Sequence, residues 1–208
     1  DPSRACSRGV GQLIRAALDR GAHRIVIGCG ESGPNDGGIG MAAELGIRFL
    51  DADRMEIVEA GGLQRLAGID MSRRDPRLDG VSLEVVVNPC NDLIGDRGTA
   101  RLFGARTGAA AGQVRRLEIG LARYAQVVRD LLGIDLTRLP GAGAGGGLAA
   151  GLATFVGGRL TPRLEFLLNR LRLERQLEMA DIAISAADGH AEGDTVLEVP
   201  AWLVRRSR

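Results

Sequence analysis

The chain has 208 residues, of which 45% are hydrophobic and 25% are charged, and its formal net charge at pH 7 is +1. A chain of this length and composition folds into one or two globular domains with a substantial core. The balanced charge argues against a nucleic acid partner or an anionic membrane surface, because both are recognised through a large positive field. All 27 basic residues are Arg, so a phosphate group would be held by guanidinium groups, backbone amides or a metal ion.

The cysteines and histidines form no recognisable metal or disulfide pattern. Cys6, Cys29 and Cys90 are widely spaced and odd in number, and His23 lies far from His190. This argues against a disulfide framework and against a zinc site. No apolar run approaches the roughly 20 residues that a membrane-spanning helix needs, and no signal peptide opens the chain. We therefore expect a cytoplasmic protein without a membrane partner.

The hydrophobic pattern predicts helices and strands in alternation. Apolar residues at three- and four-residue steps indicate helices, and short continuous apolar runs indicate strands buried on both faces. The predicted helices cover residues 9–20, 39–45, 111–132, 148–157 and 163–179, with a short closing helix around Trp202. The predicted strands cover residues 24–29, 47–50, 83–87 and 181–185, and residues 51–80 are predicted to be polar and turn-rich. This order predicts an α/β fold with a parallel or mixed sheet, flanking helices and glycine-rich loops at strand ends.

The first glycine-rich loop, GCGESGPNDGG, spans residues 28–38 and follows a predicted strand. Ligands of α/β folds bind beyond the carboxyl ends of strands, and glycine lets backbone amides approach an anion closely. Asp36 is therefore a candidate ligand for a divalent cation and a candidate catalytic base. In the alternative interpretation, the loop is a turn in which Asn and Asp cap the helix at 39–45. The candidate substrate- or phosphate-binding residues of this loop are Gly30, Ser32, Asn35, Gly37 and Gly38.

A second polar loop, at residues 88–98, follows the strand at 83–87. It offers Asn91, and its Arg97 could clamp a carboxylate or phosphate together with Arg101. Alternatively, both arginines lie on the surface and pair with neighbouring acids.

The loop PGAGAGGG, at residues 140–147, precedes the helix at 148–157. Gly141 and Gly143 form either a backbone cradle for an anion or a tightly packed helix start. The loop does not follow a clear strand, so a dinucleotide-binding fingerprint is not supported. Asp188, behind the last predicted strand, is a candidate general base, and the alternative there is an exposed acidic loop.

Several of these segments together resemble the class I glycerate kinases. The run GCGESGPNDGGIGMAAELGIRFLDAD, at residues 28–53, is similar to that family's GxGGSATNDGGxGMxxALGxxFxD. Residues 95–109, GDRGTARLFGARTGA, are similar to its GPRGAxxxFGPQKGA, and PGAGAGGG is similar to its PGAGAAGG. DIAIS, at residues 181–185, falls where the family has its DLVITGEG strand.

The resemblance implies phosphorylation of D-glycerate, or a related small hydroxy acid, to a phosphoglycerate, with ATP and Mg²⁺ as cofactors. In that family the site lies in a cleft between an α/β domain and an inserted second domain. The likeness places Asn35 and Asp36 at the metal–phosphate centre, Arg97 on a carboxylate or phosphate, and Asp188 near the family's acid motif. It further implies that residues 1–180 form the central α/β region, and that residues 181–208 return toward a second α/β domain.

The chain also departs from the family's motifs. Glu31 and Pro34 stand where the family has Gly and Thr, and Thr107 stands where it has Lys. The GEG acid motif is absent, and Asp188 and Glu192 are its nearest substitutes. The family's N-terminal Lys motif does not occur. Two hypotheses follow: a glycerate kinase, acting as a homo-oligomer or with a complementary segment, or a non-catalytic relative that binds a small anion or a partner protein.

Overall fold

The structure is a computed structural model that describes residues 2–30, 33–184 and 202. The chain divides into two compact units, one up to Leu160 and the other from Thr161 onward. The first unit contains most of the described strands and the glycine-rich loops at residues 28–38, 88–98 and 140–147, and it confirms the α/β architecture expected from the sequence. The loop after residue 185 lies outside the described residues. The proposed division after residue 180 stays a prediction. Among the described residues, every helix is too short or too polar to cross a membrane.

In the described part of the chain, five short strands form two sheets. They are β1 (Arg24–Gly28), β2 (Arg48–Leu50), β3 (Gly68–Asp70), β4 (Ser82–Val87) and β5 (Arg159–Pro162). Strands β1, β4 and β5 form one sheet in that spatial order, while β2 pairs with β3 in antiparallel orientation. Strands β1 and β4 are parallel, with Ile25 opposite Leu83 and Ile27 opposite Val85. The parallel pairing is confirmed, whereas β3 and β5 are strands that the hydrophobic pattern did not predict.

The expectation that β1 is buried on both faces is wrong for the described residues. Its side chains alternate between half-buried and exposed, and Val26 is 44% exposed. The strand lies at the end of the β1-β4-β5 order, so β4 covers only one of its edges. In β4, Leu83, Val85 and Val87 are buried while the residues between them are not. The three-stranded sheet therefore buries mainly one face.

The helices mostly follow the predicted bounds. They are α1 (Arg8–Asp19), α2 (Ile39–Glu44), α3 (Thr99–Phe103), α4 (Ala111–Leu132), α5 (Leu148–Val156), α6 (Arg163–Leu171) and α7 (Leu173–Glu178). Helix α1 packs on α2, and α5 packs on both α2 and β4. Tyr124 of α4, Phe49 of β2 and Phe155 of α5 meet in the core, with the two Phe rings edge to face at 5.2 Å. Burial of these aromatic rings fixes α4 and α5 around the loop that joins β1 to α2.

Two predictions fail in the second unit. The single helix expected at 163–179 is broken at Arg172, which adopts a left-handed conformation with φ of 49° between α6 and α7. The buried strand expected at 181–185 does not form over its described residues, 181–184. Ile182 and Ile184 are 78% and 90% exposed. Since no described residue covers these side chains, the hydrophobic driving force for a doubly buried strand is missing.

Candidate functional site

Three glycine-bearing loops that are far apart in sequence meet in the first unit. We call this contact region the glycine seam, and it comprises residues 28–30, 33–38, 88–92 and 141–147. The amide of Gly145 donates to the carbonyl O of Gly30 at 2.7 Å, and the amide of Gly37 donates to the carbonyl O of Gly146 at 3.1 Å. The amide of Gly143 donates to the carbonyl O of Asn91 at 2.9 Å. The loop before α5 thus joins the loop after β1 to the loop after β4.

The backbones approach so closely at the seam that side chains cannot fit between them. A Cβ added to Gly33 would lie 2.6 Å from the carbonyl O of Gly145, and one added to Gly143 would overlap the carbonyl O of Asp92. A Cβ on Gly146 would overlap the carbonyl O of Pro34, and φ at this residue is +70°, where only glycine is unstrained. Close packing is therefore the role that the described geometry gives these glycines, as the alternative interpretation of the PGAGAGGG loop proposed.

The side chain of Asp36 is fully buried, and the protein's own donors occupy it. Its Oδ2 accepts from the amide and the hydroxyl of Ser7 at 2.7 and 2.8 Å. The amide of Gly40 also donates to Oδ2 at 3.2 Å, and the amide of Gly38 donates to Oδ1 at 2.9 Å. Because Gly38 is the N-cap residue of α2 and Gly40 lies in its first turn, Asp36 satisfies amides at the start of this helix. This is the capping that the alternative interpretation gave to Asp36, whereas the Oδ1 of Asn35 has no hydrogen-bond partner among the described residues.

Burial and hydrogen bonding act on this carboxylate in opposite directions. Burial raises the pKa of Asp36 above its ordinary value, and the four donated hydrogen bonds from Ser7, Gly38 and Gly40 oppose that rise. Ser7 is the partner that sequence analysis missed. It occupies the N-cap position of α1, yet its hydroxyl makes no cap to α1; it donates to Asp36 and accepts from the amide of Met41 at 2.9 Å. A serine before a helix signals a local cap, and nothing in the sequence shows the contact across 29 positions.

Tyr124 lies against the same loop. A Cβ on Gly37 would meet the Tyr124 ring at 2.9 Å, and the phenol oxygen is buried without a hydrogen-bond partner. Burial raises the pKa of Tyr124, and the nearby negative charge of Asp36 raises it further. The uncharged Tyr124 ring therefore packs against the loop that carries Gly37.

Two asparagines of the seam carry polar atoms that no described residue satisfies. The Oδ1 of Asn35 and the Nδ2 of Asn91 are buried without a hydrogen-bond partner, although these residues are only 2% and 4% exposed. An unpaired buried polar atom costs about 1–3 kcal/mol, so such atoms are rare unless a ligand or water completes them. Asn35 lines a cleft of about 340 Å³, whose other described lining residues are Pro2, Ala5, Gly33, Pro34 and Thr107.

The two arginines of the 88–98 region and α3 differ in their contacts. Arg101 pairs with Asp96 at 3.1 Å and with Glu118 at 2.7 Å, and the hydrogen bond with Glu118 raises the pKa of its guanidinium group. Arg97 is exposed and donates to the carbonyl O of Cys90 at 3.0 Å. The alternative of surface arginines paired with acids thus describes Arg101. A role of Arg97 in binding a carboxylate or phosphate stays a prediction.

The described residues do not fit a bound Mg²⁺ ion. Mg²⁺ prefers carboxylate oxygens that are free to coordinate, whereas the two carboxylate oxygens of Asp36 already accept four hydrogen bonds from within the protein. No group of three or more His, Cys, Asp or Glu side chains that could hold a metal occurs in the described part of the chain. Asp188 and Ser32, the other predicted polar site residues, lie outside the described residues.

The amides predicted to cradle a phosphate are also largely occupied. Those of Gly37 and Gly143 donate to backbone carbonyls, and that of Gly38 donates to Asp36. Gly30 and Gly141 lie in the seam, with their carbonyl oxygens accepting from Gly145 and Ala144. The structure thus brings together Gly30, Asn35, Asp36, Gly37, Gly38, Asn91, Gly141 and Gly143. Their contact with substrate or phosphate stays a prediction.

Comparisons with known proteins agree with one another. The profile of the glycerate kinase family matches residues 1–199. A glycerate kinase from Halalkalibacterium halodurans is 39% identical over 189 residues, which cover 90% of this chain and 50% of the relative. The glycerate 2-kinase of Escherichia coli is 39% identical over 197 residues, covering 94% of this chain and 51% of the relative. The chain therefore spans about half the length of these curated relatives.

A crystal structure shows the same fold. A Salmonella typhimurium protein assigned as glycerate kinase 2 superposes with a TM-score of 0.81 at 39% sequence identity. The match covers 99% of this chain and 56% of that protein.

Proposed function

The chain belongs to the glycerate kinase family, and on that premise we propose that it forms part of a site in which ATP phosphorylates D-glycerate or a related small hydroxy acid. The observation that carries the proposal is the pair of buried asparagines, Asn35 and Asn91, in loops that the 141–147 loop holds together. They leave one acceptor and one donor unpaired at the carboxyl ends of β1 and β4, where α/β folds bind ligands.

In this proposal the chain's own residues contribute positioning and polar contacts. The glycine seam fixes the two asparagines, and Asp36 fixes the start of α2 and the segment that carries Ser7. Asp36 thus acts through the loop as a positioning residue, in place of the metal-binding and base roles expected from the sequence. Arg97, exposed beside the carbonyl O of Cys90, supplies a guanidinium group for a carboxylate or phosphate.

ATP with Mg²⁺ would supply the phosphoryl group and the charge neutralisation on which such transfer depends. Since the described residues offer no free carboxylate cluster, a metal would require carboxylates outside them, where Asp188 lies. We place the protein in the cytoplasm, where ATP and reduced cysteines are both available.

A second candidate is a non-catalytic relative that binds a small hydroxy acid without nucleotide. The observation that favours it is the complete internal occupation of Asp36. Calorimetric titration with D-glycerate and with ATP·Mg²⁺ separates the two. Saturable binding of both ligands supports the kinase, binding of D-glycerate alone supports the non-catalytic relative, and binding of neither contradicts both.

Arg97→Ala tests the predicted anion contact within the same titrations. The matched control is Arg106→Ala, since Arg106 is also exposed and stacks on the Phe103 ring at 5.7 Å. We expect Arg97→Ala to weaken binding of the anionic ligand by about tenfold, as loss of a charge-assisted hydrogen bond does. Equal affinities of the two variants for these ligands would contradict a contact between Arg97 and the ligand.

A further inference from the structure

The cleft beside Asn35 has an unusual lining for an enzyme that handles anions. Three segments form it: residues Pro2 and Ala5, the loop from Gly33 to Asn35, and Thr107. None of its described lining residues is charged. Its two polar lining residues are Asn35 and Thr107, set among two prolines, an alanine and a glycine.

Three of the chain's departures from the family's motifs line this cleft. Gly33, Pro34 and Thr107 stand where the motifs of the glycerate kinases have Ala, Thr and Lys, and all three line it. The first two belong to the loop after β1, and the third follows α3, so they are distant in sequence. Their meeting at one surface indicates a coordinated change in what that surface contacts. The replacement of Lys by Thr removes the one cation that the motif would place there.

We propose that this cleft binds the uncharged, hydroxyl-bearing end of the substrate, and that Thr107 and Pro34 set this specificity. The inference rests on the proposed function, which it deepens by assigning one end of the hydroxy acid to one surface. A hydroxyl group both donates and accepts, so it matches the side-chain amide of Asn35, which has an unpaired oxygen.

The contacts of Thr107 are consistent with this assignment. Its hydroxyl donates to the carbonyl O of Gly104 at 2.8 Å, which leaves its oxygen as an acceptor for a ligand hydroxyl. A carboxylate or phosphate would find no cation among the described lining residues, and burying an unpaired anion there is costly. The carbon chain of a small hydroxy acid would lie against Pro34 and Ala5, which are half-buried.

Two simple probes separate the ends of the substrate. Glycerol carries hydroxyl groups without a carboxylate, and acetate carries a carboxylate without hydroxyl groups. In amide spectra of the isotope-labelled chain, we expect D-glycerate and glycerol to shift the signals of Gly33, Asn35 and Thr107 in a saturable manner. Acetate should leave these three signals in place. Acetate shifting them as strongly as glycerol does would overturn the inference.

Thr107→Lys tests the specificity directly, because Thr107 is exposed and can be enlarged without disturbing the core. We expect the new ammonium group to strengthen acetate binding at the cleft by about tenfold, as a charge-assisted contact does. The matched control is Thr137→Lys, which adds the same charge at an exposed threonine outside the cleft lining. An unchanged ratio of glycerol to acetate affinity in Thr107→Lys would contradict the proposal.

Asn35→Ala provides the second arm. The Asn35 oxygen has no partner within the protein, so its removal breaks no internal hydrogen bond at that atom. We expect the variant to keep the melting temperature of the parent while its Kd for D-glycerate rises about tenfold. The control is Asn169→Ala, at an exposed asparagine of α6. An unchanged Kd in Asn35→Ala contradicts the inference, and so does a large loss of stability with unchanged Kd.

The outcomes for the parent chain distinguish this inference from the proposed function. If D-glycerate shifts other amide signals but not those of Gly33, Asn35 and Thr107, only the inference about the cleft is contradicted. A chain in which D-glycerate shifts no amide contradicts the proposed function and the inference together.

Discussion

The hydroxyl of Ser7 offers the sharpest test of how the site is held together. Ser7→Ala removes the hydrogen bond from the hydroxyl to Asp36 Oδ2 at 2.8 Å and the acceptor of the Met41 amide at 2.9 Å. A hydrogen bond to a charged group contributes about 1.5–3 kcal/mol, and loss of a helix-cap acceptor costs about 1 kcal/mol. Ser7 is only 4% exposed, so water cannot readily replace either contact. We therefore expect Ser7→Ala to lower the free energy of unfolding by about 3 kcal/mol.

Urea unfolding followed by circular dichroism measures this loss. The matched control is Ser82→Ala, at an exposed serine that begins β4, where a surface substitution should change the free energy of unfolding by less than about 0.5 kcal/mol. Cys6, next to Ser7, is exposed and needs no substitution for this measurement. Equal stabilities of Ser7→Ala and Ser82→Ala would refute the claim that Ser7 and Asp36 fasten the N-terminal segment to α2.

Three further predictions concern the same unit. Burial raises the pKa of Asp36 in the folded protein above the pKa of about 3.9 that Asp has in the unfolded chain. The stabilisation that protonated Asp36 contributes is therefore complete below about pH 3.9 and is lost as the pH rises through the folded-state pKa. The stability of the parent relative to Asp36→Asn should therefore fall with pH above about 3.9, and a difference that rises with pH would contradict the shift. Gly146→Ala should lower the free energy of unfolding by about 2–4 kcal/mol, because the new Cβ overlaps a neighbouring backbone and φ is strained. Its control, Gly112→Ala, lies in open space on α4 and should raise the free energy of unfolding by up to about 1 kcal/mol. Equal urea midpoints of the two variants would refute the close packing of the glycine seam. Burial raises the pKa of the Cys29 thiol to about 11, whereas Cys6 is exposed. Iodoacetamide at pH 8 should therefore alkylate Cys6 and leave Cys29 unmodified, as measured by mass spectrometry. Rapid alkylation of both thiols would contradict the burial of Cys29.

The sequence predicts well those elements whose signal is local. Helix α4 has the predicted bounds, 111–132, because its apolar face repeats over six turns and Gly133 ends it in a left-handed conformation with φ of 71°. The parallel pairing of β1 with β4 follows from the α/β alternation. The short strand β3 has only three residues, too few for a two-residue period to stand out.

The errors arise where tertiary surroundings decide the outcome. An apolar run such as RIVIG indicates a strand, but its burial depends on which neighbours cover it, and β1 has one exposed face among the described residues. DIAIS has the same apolar pattern, yet its described residues 181–184 are exposed and form no strand. The break at Arg172 is equally invisible, because a non-glycine residue with positive φ carries no sequence signal.

The candidate site shows the same limit. Loop composition correctly singled out the segments that form the glycine seam, because glycines are required wherever two backbones touch. It could not show that the contacts of Asp36 are internal, since Ser7 reaches it from another part of the chain. It also could not show that Pro34 and Thr107 face the same cleft.

We have proposed that this chain forms part of a site in which ATP phosphorylates a small hydroxy acid. Incubation of the purified chain with D-glycerate, ATP and Mg²⁺, followed by phosphorus NMR, tests it most directly. We expect a phosphoglycerate signal that grows in step with ADP and requires D-glycerate. ADP formation without a phosphoglycerate signal, or no reaction although both ligands bind, would contradict it.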